Sequence, residues 1–408
     1  MPRVRIQKQA GSVRTRLSIG GRATSNDLFS SPNSVIPAFL RSSTGFRLPV
    51  VIGLLLLIFG ALPTHAQRTE TWRAHPPTAH GFDSIALADA VARADDLAPP
   101  LTSLLVARGD TTVAEIYFDG MTPTQGANLK SASKSVLSAL TGIAIAEGHL
   151  DGVSQPIGPF FPDLLAGEPR KQQITIRNLL TQQAGLESTS FGNYGEWVSS
   201  PSWVADALRR PMEDRPGGEM IYSTGNTHLL GVILAKATGQ PLRTFAQEQL
   251  FDPLGTTIRS WQQDPQGYYF GGNNMALTPR GLLRFGQLYL NRGTVDGQRV
   301  LPADWIDLSW RTYVRSTYRD HQYGYLWFTH TFGGAEVAFA WGYGGQYVFV
   351  VPALDLVVAM TSSLSNRPPG SDGHNRRLVR LLAEHIIPAA QGPGGAWRRL
   401  PSGSFVGW

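Results

Sequence analysis

Residues 129–137 read Leu-Lys-Ser-Ala-Ser-Lys-Ser-Val-Leu, and this stretch decides how the 408-residue chain is interpreted. The apolar residues that continue it, up to Ala146, predict a buried helix that starts near Ser131. Residues three apart share one face of a helix, so Lys134 can reach Ser131. A serine hydroxyl needs a nearby base, and burial can lower the pKa of a lysine until its neutral amine serves as one. The stretch therefore predicts a nucleophilic serine at a helix N-terminus, where developing negative charge is favoured.

A second segment with chemical potential is Ile-Tyr-Ser-Thr-Gly-Asn at residues 221–226, just before a helical pattern. The phenol of Tyr222 can pass a proton between a serine oxygen and a leaving group if a neighbouring lysine lowers its pKa. The alternative is a core tyrosine ahead of a helix that is capped by Ser223 or Thr224.

A third segment, Trp-Gly-Tyr-Gly-Gly-Gln-Tyr at residues 341–347, leads into a strand-like run. Glycines let backbone N–H groups approach a ligand closely, so this strand edge could supply a second oxyanion donor beside the N–H of Ser131. The alternative is a glycine-rich bulge or hairpin turn without a ligand.

In this order, the three segments resemble the serine β-lactamase and penicillin-binding-protein superfamily. The resemblance is strongest to its class C-like branch, which includes esterases, D-amino-acid peptidases and aminohexanoate-dimer hydrolases. It extends over roughly residues 101–387 and includes the stretches 174–181, 184–186, 253–255, 284–286 and 323–325.

The resemblance implies a role for each matching residue. Ser131 would be the acylated nucleophile, Lys134 its general base and Tyr222 the proton shuttle. The backbone N–H groups of Ser131 and Tyr343 would form the oxyanion hole. The residues expected to contact substrate are Thr224, Asn226, Asn274, Trp341, Gly342 and Gly344.

Two departures from the family pattern bear on the substrate. The Tyr-x-Asn motif ends here in Thr224, which leaves Asn226, Asn273 and Asn274 as candidate replacements for the missing amide. The third-strand triad contains no cation to meet a substrate carboxylate. We therefore expect an ester or small amide with an apolar acyl group, in a pocket walled by Trp341, Tyr343 and Tyr222. The alternatives are a penicillin-binding or sensor-like protein that deacylates slowly, and a weak class C-type β-lactamase.

The fold expected from the residues is α+β and agrees with the β-lactamase/transpeptidase-like fold that the resemblance implies. Strand patterns lie at both ends of the chain and helical patterns between them, which predicts one antiparallel sheet with flanking helices and an inserted all-helical lobe at about 131–310. We expect a single hydrolase domain over 67–390 and a Gly/Pro-rich tail over 391–408.

The N-terminal 66 residues have the order of a secretory signal peptide. Residues 1–47 hold eight Lys or Arg and one acid, residues 48–62 are an uncharged apolar run, and small residues flank His65. These patterns predict export to the periplasm or medium after cleavage. The alternative is a membrane anchor formed by residues 48–62.

Composition excludes several other kinds of function. The formal net charge is +6, but the leader carries +7, so the remainder nets −1 and we expect no nucleic-acid partner. The absence of cysteine removes disulfides, thiol catalysis and Cys-ligated zinc. The histidine spacing fits no metal motif, so we expect no metal or cofactor, and a small-molecule ester or amide as the partner.

Overall fold

A nine-stranded antiparallel sheet is built from both ends of the chain. We analysed a computed structural model in which the described residues are 69–70, 76–97, 100–318, 320–365 and 372–392. Across the sheet the strands follow the order β1-β3-β2-β14-β13-β12-β11-β10-β9. Their bounds are β1 Thr69–Glu70, β2 Leu101–Arg108, β3 Thr111–Tyr117, β9 Val314–Arg315, β10 Gln322–Tyr323, β11 Phe328–Phe332, β12 Ala335–Gly342, β13 Gln346–Val351 and β14 Leu356–Ser362.

The helices flank the sheet and fill the region between its two halves. Their bounds are α1 Ser84–Asp95, α2 Ser133–Ala146, α3 Pro169–Gln172, α4 Ile176–Leu180, α5 Tyr194–Ser199, α6 Trp203–Arg209, α7 Thr224–Thr238, α8 Leu242–Ala246, α9 Pro279–Leu290, α10 Ala303–Trp310, α11 Asp372–Leu381 and α12 Ile387–Gln391. Helix α9 begins at Pro279, because Thr278 Oγ1 accepts the N–H of Gly281 at 3.0 Å and the proline occupies the first turn.

The core lies on both faces of the central strands. Every residue of β13 and β14 is buried. Helix α9 packs across β14, β13 and β2, while α1 packs against the C-terminal helical segment. The close approach of α9 depends on Gly286, since a Cβ there would lie 2.6 Å from side-chain carbons of Val348 and Val357. Helical cover of this kind accounts for strands that carry almost no polar residues.

The predicted fold class is confirmed, with one difference in the inserted region. Besides α2 to α10, this region contains a three-stranded sheet of β4 (Ala127–Asn128), β6 (Met275–Leu277) and β5 (Ser260–Trp261), and a hairpin of β7 (Thr294–Val295) and β8 (Gln298–Arg299). These strands have two or three residues each, which is too short for an alternating pattern to reveal them. The lobe is therefore mostly helical rather than all-helical.

The β-rich run from 323 to 330 is divided between β10 and β11. Leu326 between them has a φ of +60°, which no strand allows. Its N–H donates to the Leu180 carbonyl at 3.0 Å, and its own carbonyl accepts the Ser135 hydroxyl at 2.7 Å. The interruption thus joins the sheet to α4 and α2, a tertiary contact that no local pattern encodes.

The C-terminal helical segment continues past Pro388 to Gln391. A π-helical turn at Leu382–Ile386 directly precedes the proline. Pro388 then lies in the first turn of α12, where a missing N–H removes no intrahelical hydrogen bond.

No helix within the described ranges has both the length and the hydropathy to cross a membrane. The predicted leader at 1–66 lies outside the described residues, as does almost all of the predicted tail. The domain boundaries stay predictions.

Candidate active site

Ser131 lies in a short 3₁₀ turn, Lys130–Ala132, that leads directly into α2. Lys130 has a φ of +49°, a left-handed conformation that is uncommon outside glycine. The Ser133 hydroxyl donates to the Lys130 carbonyl at 2.7 Å and so braces the turn. The result is a tight elbow at which the Ser131 side chain reaches a cavity instead of the protein core.

Lys134 is buried directly beneath this elbow, with only 2% of its surface exposed. Its Nζ lies 3.2 Å from Ser131 Oγ, 3.3 Å from Thr224 Oγ1 and 2.8 Å from the Gly272 carbonyl oxygen. Burial lowers the pKa of Lys134 to about 7, because the charged ammonium loses its hydration there. A substantial fraction of the amine is therefore neutral at neutral pH.

The partners of Lys134 determine where its lone pair points. A carbonyl oxygen can only accept, so one N–H of the neutral amine goes to Gly272. If the second N–H goes to Thr224 Oγ1, the lone pair is left for the Ser131 hydroxyl proton. This arrangement is suited to taking a proton from serine.

The Gly272 carbonyl is held in place by a close approach of the chain to α7. A Cβ on Gly272 would lie 2.6 Å from Lys134 Cγ, and one on Gly271 would lie 2.2 Å from the Thr227 carbonyl oxygen. The Gly271 N–H donates to Nδ1 of the buried His228 at 3.3 Å. The other ring nitrogen of His228 lies 3.0 Å from an Asp264 carboxylate oxygen. Because Nδ1 accepts, the imidazole proton belongs on Nε2, facing Asp264.

Tyr222 completes the polar end of the site. The Lys134 amine lies 5.2 Å from the centre of its ring, and its phenol is hydrogen-bonded to Ser131. Burial raises the pKa of Tyr222 to about 12, although the bond to Ser131 opposes that shift. The sequence-based expectation that a neighbouring lysine lowers this pKa is therefore wrong, since a largely neutral lysine cannot stabilise a phenolate. Tyr222 is a neutral phenol at physiological pH.

Thr224 is the first residue of α7, and its hydroxyl contacts the Lys134 amine. The first two N–H groups of this helix donate to loop hydroxyls, Thr224 N to Ser190 Oγ at 2.9 Å and Gly225 N to Thr189 Oγ1 at 2.8 Å. Ser190 Oγ also lies 3.0 Å from Thr224 Oγ1. The helix start is thus fixed by groups from a distant loop, which positions the Thr224 hydroxyl beside Lys134.

The end of β12 lies against the Lys130–Ala132 turn that carries Ser131. A Cβ on Gly342 would lie 2.1 Å from the Leu129 carbonyl oxygen and 3.1 Å from the Ala132 nitrogen. This contact places Tyr343, the next residue, on the same cavity as Ser131. Gly344 follows with a φ of +90° in the turn to β13.

The cavity above Ser131 has a volume of about 520 Å³. Its polar lining residues are grouped around the elbow and α7, and rings and one leucine form the remaining walls. The lining residues are Lys130, Ser131, Ser190, Phe191, Tyr194, Tyr222, Thr224, Asn273, Tyr318, Phe328, Trp341, Tyr343 and Leu364. A cleft of this size with few polar groups is typical of a site for a small, largely apolar ligand.

Comparison with known proteins identifies the family. The β-lactamase family model matches residues 91–384. The chain belongs to the β-lactamase family. The predicted family resemblance is thereby confirmed.

Relatives within this family include a 6-aminohexanoate-dimer hydrolase of Paenarthrobacter ureafaciens, 27% identical over 249 residues. The match covers 54% of this chain and 62% of that protein, so less than two thirds of the relative is spanned. Among solved structures, a family VIII carboxylesterase has a TM-score of 0.59 at 16% identity and covers 74% of this chain and 96% of its own. A D-stereospecific amidohydrolase from Streptomyces sp. has a TM-score of 0.55 at 18% identity and covers 73% and 98%. These structures share the fold.

The structure brings some of the predicted substrate-binding residues of this β-lactamase-family chain to the cavity and leaves others away from it. Thr224, Trp341 and Tyr343 line it. Among the described residues, Asn226 is not part of the lining, because it is buried in α7 with its amide 3.5 Å from Gln182 Oε1. Gly342 packs against the turn that carries Ser131.

Two further predicted residues also lie outside the lining of the described cavity. Asn274 accepts from the Lys130 ammonium at 2.8 Å and donates to Gln262, so its amide is occupied within the protein. A Cβ on Gly344 would lie 2.5 Å from a methyl carbon of Leu364, which separates this glycine from the cavity. Asn274 was a candidate only as an amide that could replace the missing one, and Gly344 only as part of the third segment, and neither reason fixes a position in space.

Sequence reasoning missed the carbonyl of Gly272, the cation of Lys130 and most of the aromatic wall. The only sequence signals were a Gly-Gly pair at 271–272 and a lysine directly before the nucleophile. Phe191, Tyr194 and Tyr318 come from loops and short helices whose place in space no local pattern indicates. No cluster of three or more metal-ligating side chains occurs in the part of the chain that the structure describes.

Proposed function

We propose that this β-lactamase-family protein is a serine hydrolase that cleaves an ester or small amide bond through an acyl-Ser131 intermediate. The observation that carries the proposal is the convergence of the Ser131 hydroxyl, the buried Lys134 amine and the Tyr222 phenol at one end of an apolar cavity. A serine, a base of pKa about 7 and a neutral acid are the groups that acyl transfer requires.

Acylation begins when the neutral Lys134 amine takes the hydroxyl proton of Ser131 and Oγ attacks the substrate carbonyl carbon. The carbonyl oxygen becomes an oxyanion, which the N–H groups of Ser131 and Tyr343 stabilise together with the start of α2. The C–O or C–N bond to the leaving group then breaks. The proton gained by Lys134 passes to the leaving oxygen or nitrogen through the Tyr222 phenol, which donates its own proton and is restored by the ammonium.

Deacylation repeats these steps with water in place of serine. The Lys134 amine accepts a water proton directly or through Tyr222, and hydroxide attacks the acyl carbon. Collapse of the second tetrahedral intermediate expels Ser131 Oγ, which takes back the proton from Lys134 and releases a carboxylic acid. One lysine thus acts as base and acid in turn, which a pKa near neutrality favours.

The cavity walls support an apolar acyl group as the substrate. Seven aromatic side chains and Leu364 line the space that faces Ser131. Thr224 occupies the position at which the family motif carries an asparagine, and its hydroxyl contacts the Lys134 amine. With no amide at that position, recognition rests more on ring contacts, as with simple esters and small amides.

The direct test is turnover of p-nitrophenyl acetate and butyrate by the protein and by Ser131→Ala. We expect the variant to lose activity to near background. Intact-mass analysis after a fluorophosphonate should show one adduct on the protein and none on the variant. Equal turnover by both proteins would overturn the assignment of Ser131.

Labelling with fluorescent penicillin distinguishes the two alternative functions. One is a penicillin-binding or sensor-like role, and the other is weak class C-type β-lactamase activity. Fluorescent penicillin would label a slow acyl-enzyme stably, whereas a β-lactamase would release the hydrolysed product. Rapid ester cleavage without penicillin labelling is the outcome that our proposal expects.

We also propose that the protein is exported, on the basis of the basic and apolar order of residues 1–66. Mass spectrometry of the mature N-terminus, after expression of the full chain, tests this point. A chain that begins near residue 67 in the periplasm or medium supports it, and an intact residue 1 in the membrane fraction contradicts it.

A further inference from the structure

We propose that Lys130 is a specificity residue and that the preferred substrate carries a carboxylate which this lysine binds. The inference rests on the proposed function and deepens it by naming the substrate class. It starts from a cation in a cavity lined mostly by aromatic side chains, for which the described residues provide no anionic partner.

Lys130 is held at the cavity by the backbone. Its φ of +49° orients it differently from a residue in regular helix or strand, and the Lys130 carbonyl is fixed by the Ser133 hydroxyl. Its N–H donates to the Asn128 side-chain oxygen at 3.0 Å. A non-glycine residue in this region of φ is strained, so the surrounding contacts have to maintain the conformation.

The contacts of the Lys130 ammonium leave it with donors to spare. Its Nζ donates to Asn274 Oδ1 at 2.8 Å, and that oxygen also accepts the Asn128 amide at 3.2 Å. An ammonium has three donors, and one neutral amide oxygen satisfies one of them. Asn274 therefore satisfies one donor of the ammonium without neutralising its charge.

No carboxylate belongs to this part of the site. None of the cavity-lining residues in the described part of the chain is acidic, and none of the ion pairs among those residues involves Lys130. Burial lowers the pKa of Lys130, and the Asn274 contact does not reverse this. An anion beside the amine would favour its charged form again, so the site gains interaction energy when a carboxylate arrives.

The surroundings strengthen such a pair. Lys130 lies beside Ser131 and shares the cavity with aromatic side chains, including Tyr343 and Trp341. Charges attract more strongly where rings displace water than they do on an open surface. The class that fits both halves of the cavity is an ester or amide with an apolar body and one carboxylate.

The test compares substrates that differ in charge but hardly in shape. One pair varies the acyl half, mono-p-nitrophenyl adipate against p-nitrophenyl hexanoate. The other varies the leaving half, 4-butyryloxybenzoate against its methyl ester. For each pair the ratio of kcat/KM, charged over neutral, is measured in the wild type, Lys130→Gln, Lys130→Arg and the control Lys236→Gln. Lys236 is an exposed lysine whose ammonium donates to the Phe160 carbonyl.

We expect the wild type to prefer the charged member of at least one pair. Lys130→Gln should reduce that ratio by about 10- to 100-fold, the range for losing a hydrogen bond to a charged group. Lys130→Arg should retain much of it, and Lys236→Gln should leave it unchanged. An unchanged ratio in Lys130→Gln for both pairs, or no preference in the wild type, would overturn the inference.

Two further measurements allow the result to be interpreted if Lys130→Gln does not fold or if the proposed function itself is wrong. If Lys130→Gln does not fold, the salt dependence of the wild-type ratio decides: a fall with increasing ionic strength supports the pair, and a constant ratio contradicts it. Ser131→Ala is assayed on the same substrates. Activity that survives Ser131→Ala would reject the proposed function, whereas activity that needs Ser131 but ignores Lys130 would reject only the present inference.

Discussion

The two sides of the cavity are held in different ways. On the polar side, Lys134 is almost fully buried and has three polar neighbours within 3.3 Å. On the aromatic side, Phe191 is 66% exposed and Tyr343 is 63% exposed, and Phe191 meets Tyr222 and Tyr318 at ring-centre distances of 6.1 and 5.7 Å. Directional bonds fix one side, and ring contacts of less directional character form the other. The chemistry should therefore tolerate little change, whereas substrate preference should change readily.

Replacing the lysine on the polar side should have the largest effect. Lys134→Met keeps the apolar stem but removes the base, so we expect kcat/KM for p-nitrophenyl butyrate to fall by about 10³- to 10⁴-fold. Lys171→Met is the matched control, a lysine only 6% exposed that does not line the described cavity. A loss of similar size in both variants would show that the effect comes from burial in general rather than from the site.

Adding a single methyl group at Gly342, between the two sides of the cavity, should have the second-largest effect on activity. In Gly342→Ala the new Cβ would lie 2.1 Å from the Leu129 carbonyl oxygen, so either β12 or the Lys130–Ala132 turn has to shift. We expect kcat to fall by about 10²-fold, comparable to the loss of one oxyanion donor. The control is Gly195→Ala on α5, where nothing lies within 4 Å of the added carbon. Wild-type kcat in Gly342→Ala would mean that β12 does not position the oxyanion site.

The pH dependence of activity should report the polar side alone. Because the base has to be unprotonated, kcat/KM should rise with pH through an apparent pKa of about 7 and then level off. Below that pKa, each pH unit should cost about tenfold. Tyr222, with a pKa of about 12, should not titrate in the range measured. A profile that is flat from pH 5 to 8 would exclude Lys134 as the base.

Trimming the aromatic side should have the smallest effect. Phe191→Ala removes a ring that is already mostly exposed. We therefore expect KM for p-nitrophenyl butyrate to rise about three- to tenfold and kcat to change less. Ile85→Ala on α1, which is 82% exposed and distant in sequence from the cavity residues, is the control. A fall in kcat as large as that of Gly342→Ala would show that the two sides are not separable.

The same division explains what could be predicted from the sequence. The approach of Lys134 to Ser131 depends on helical spacing, which is local, and the sheet follows from long β-rich runs at the chain ends. Gly272 contributes only a carbonyl oxygen from 138 residues further along the chain, and the Gly-Gly pair at 271–272 does not indicate which group that oxygen contacts. The catalytic roles of Ser131, Lys134 and Tyr222 stay predictions until the variants are measured.

Electrostatic environment was harder to anticipate than position. The sequence placed Tyr222 near a lysine and suggested a lowered phenol pKa, but burial acts on both groups and moves the two pKa values in opposite directions. Asn226 and Asn274 were candidates because an amide is missing at position 224, and that reasoning does not indicate where either side chain lies. Both amides are used within the protein.

The strand order has a consequence for how the protein is made. β14 lies between β2 and β13, so the N-terminal hairpin gains its neighbour only after residues 356–362 have been synthesised. While residues before 356 are being synthesised, the sheet lacks the strand that joins β2 to β13. The native strand pairing is therefore completed late. A premature stop codon shortly before Leu356 would leave β2 and β13 with unpaired, mostly apolar edges, and such fragments should aggregate rather than persist as smaller folded forms.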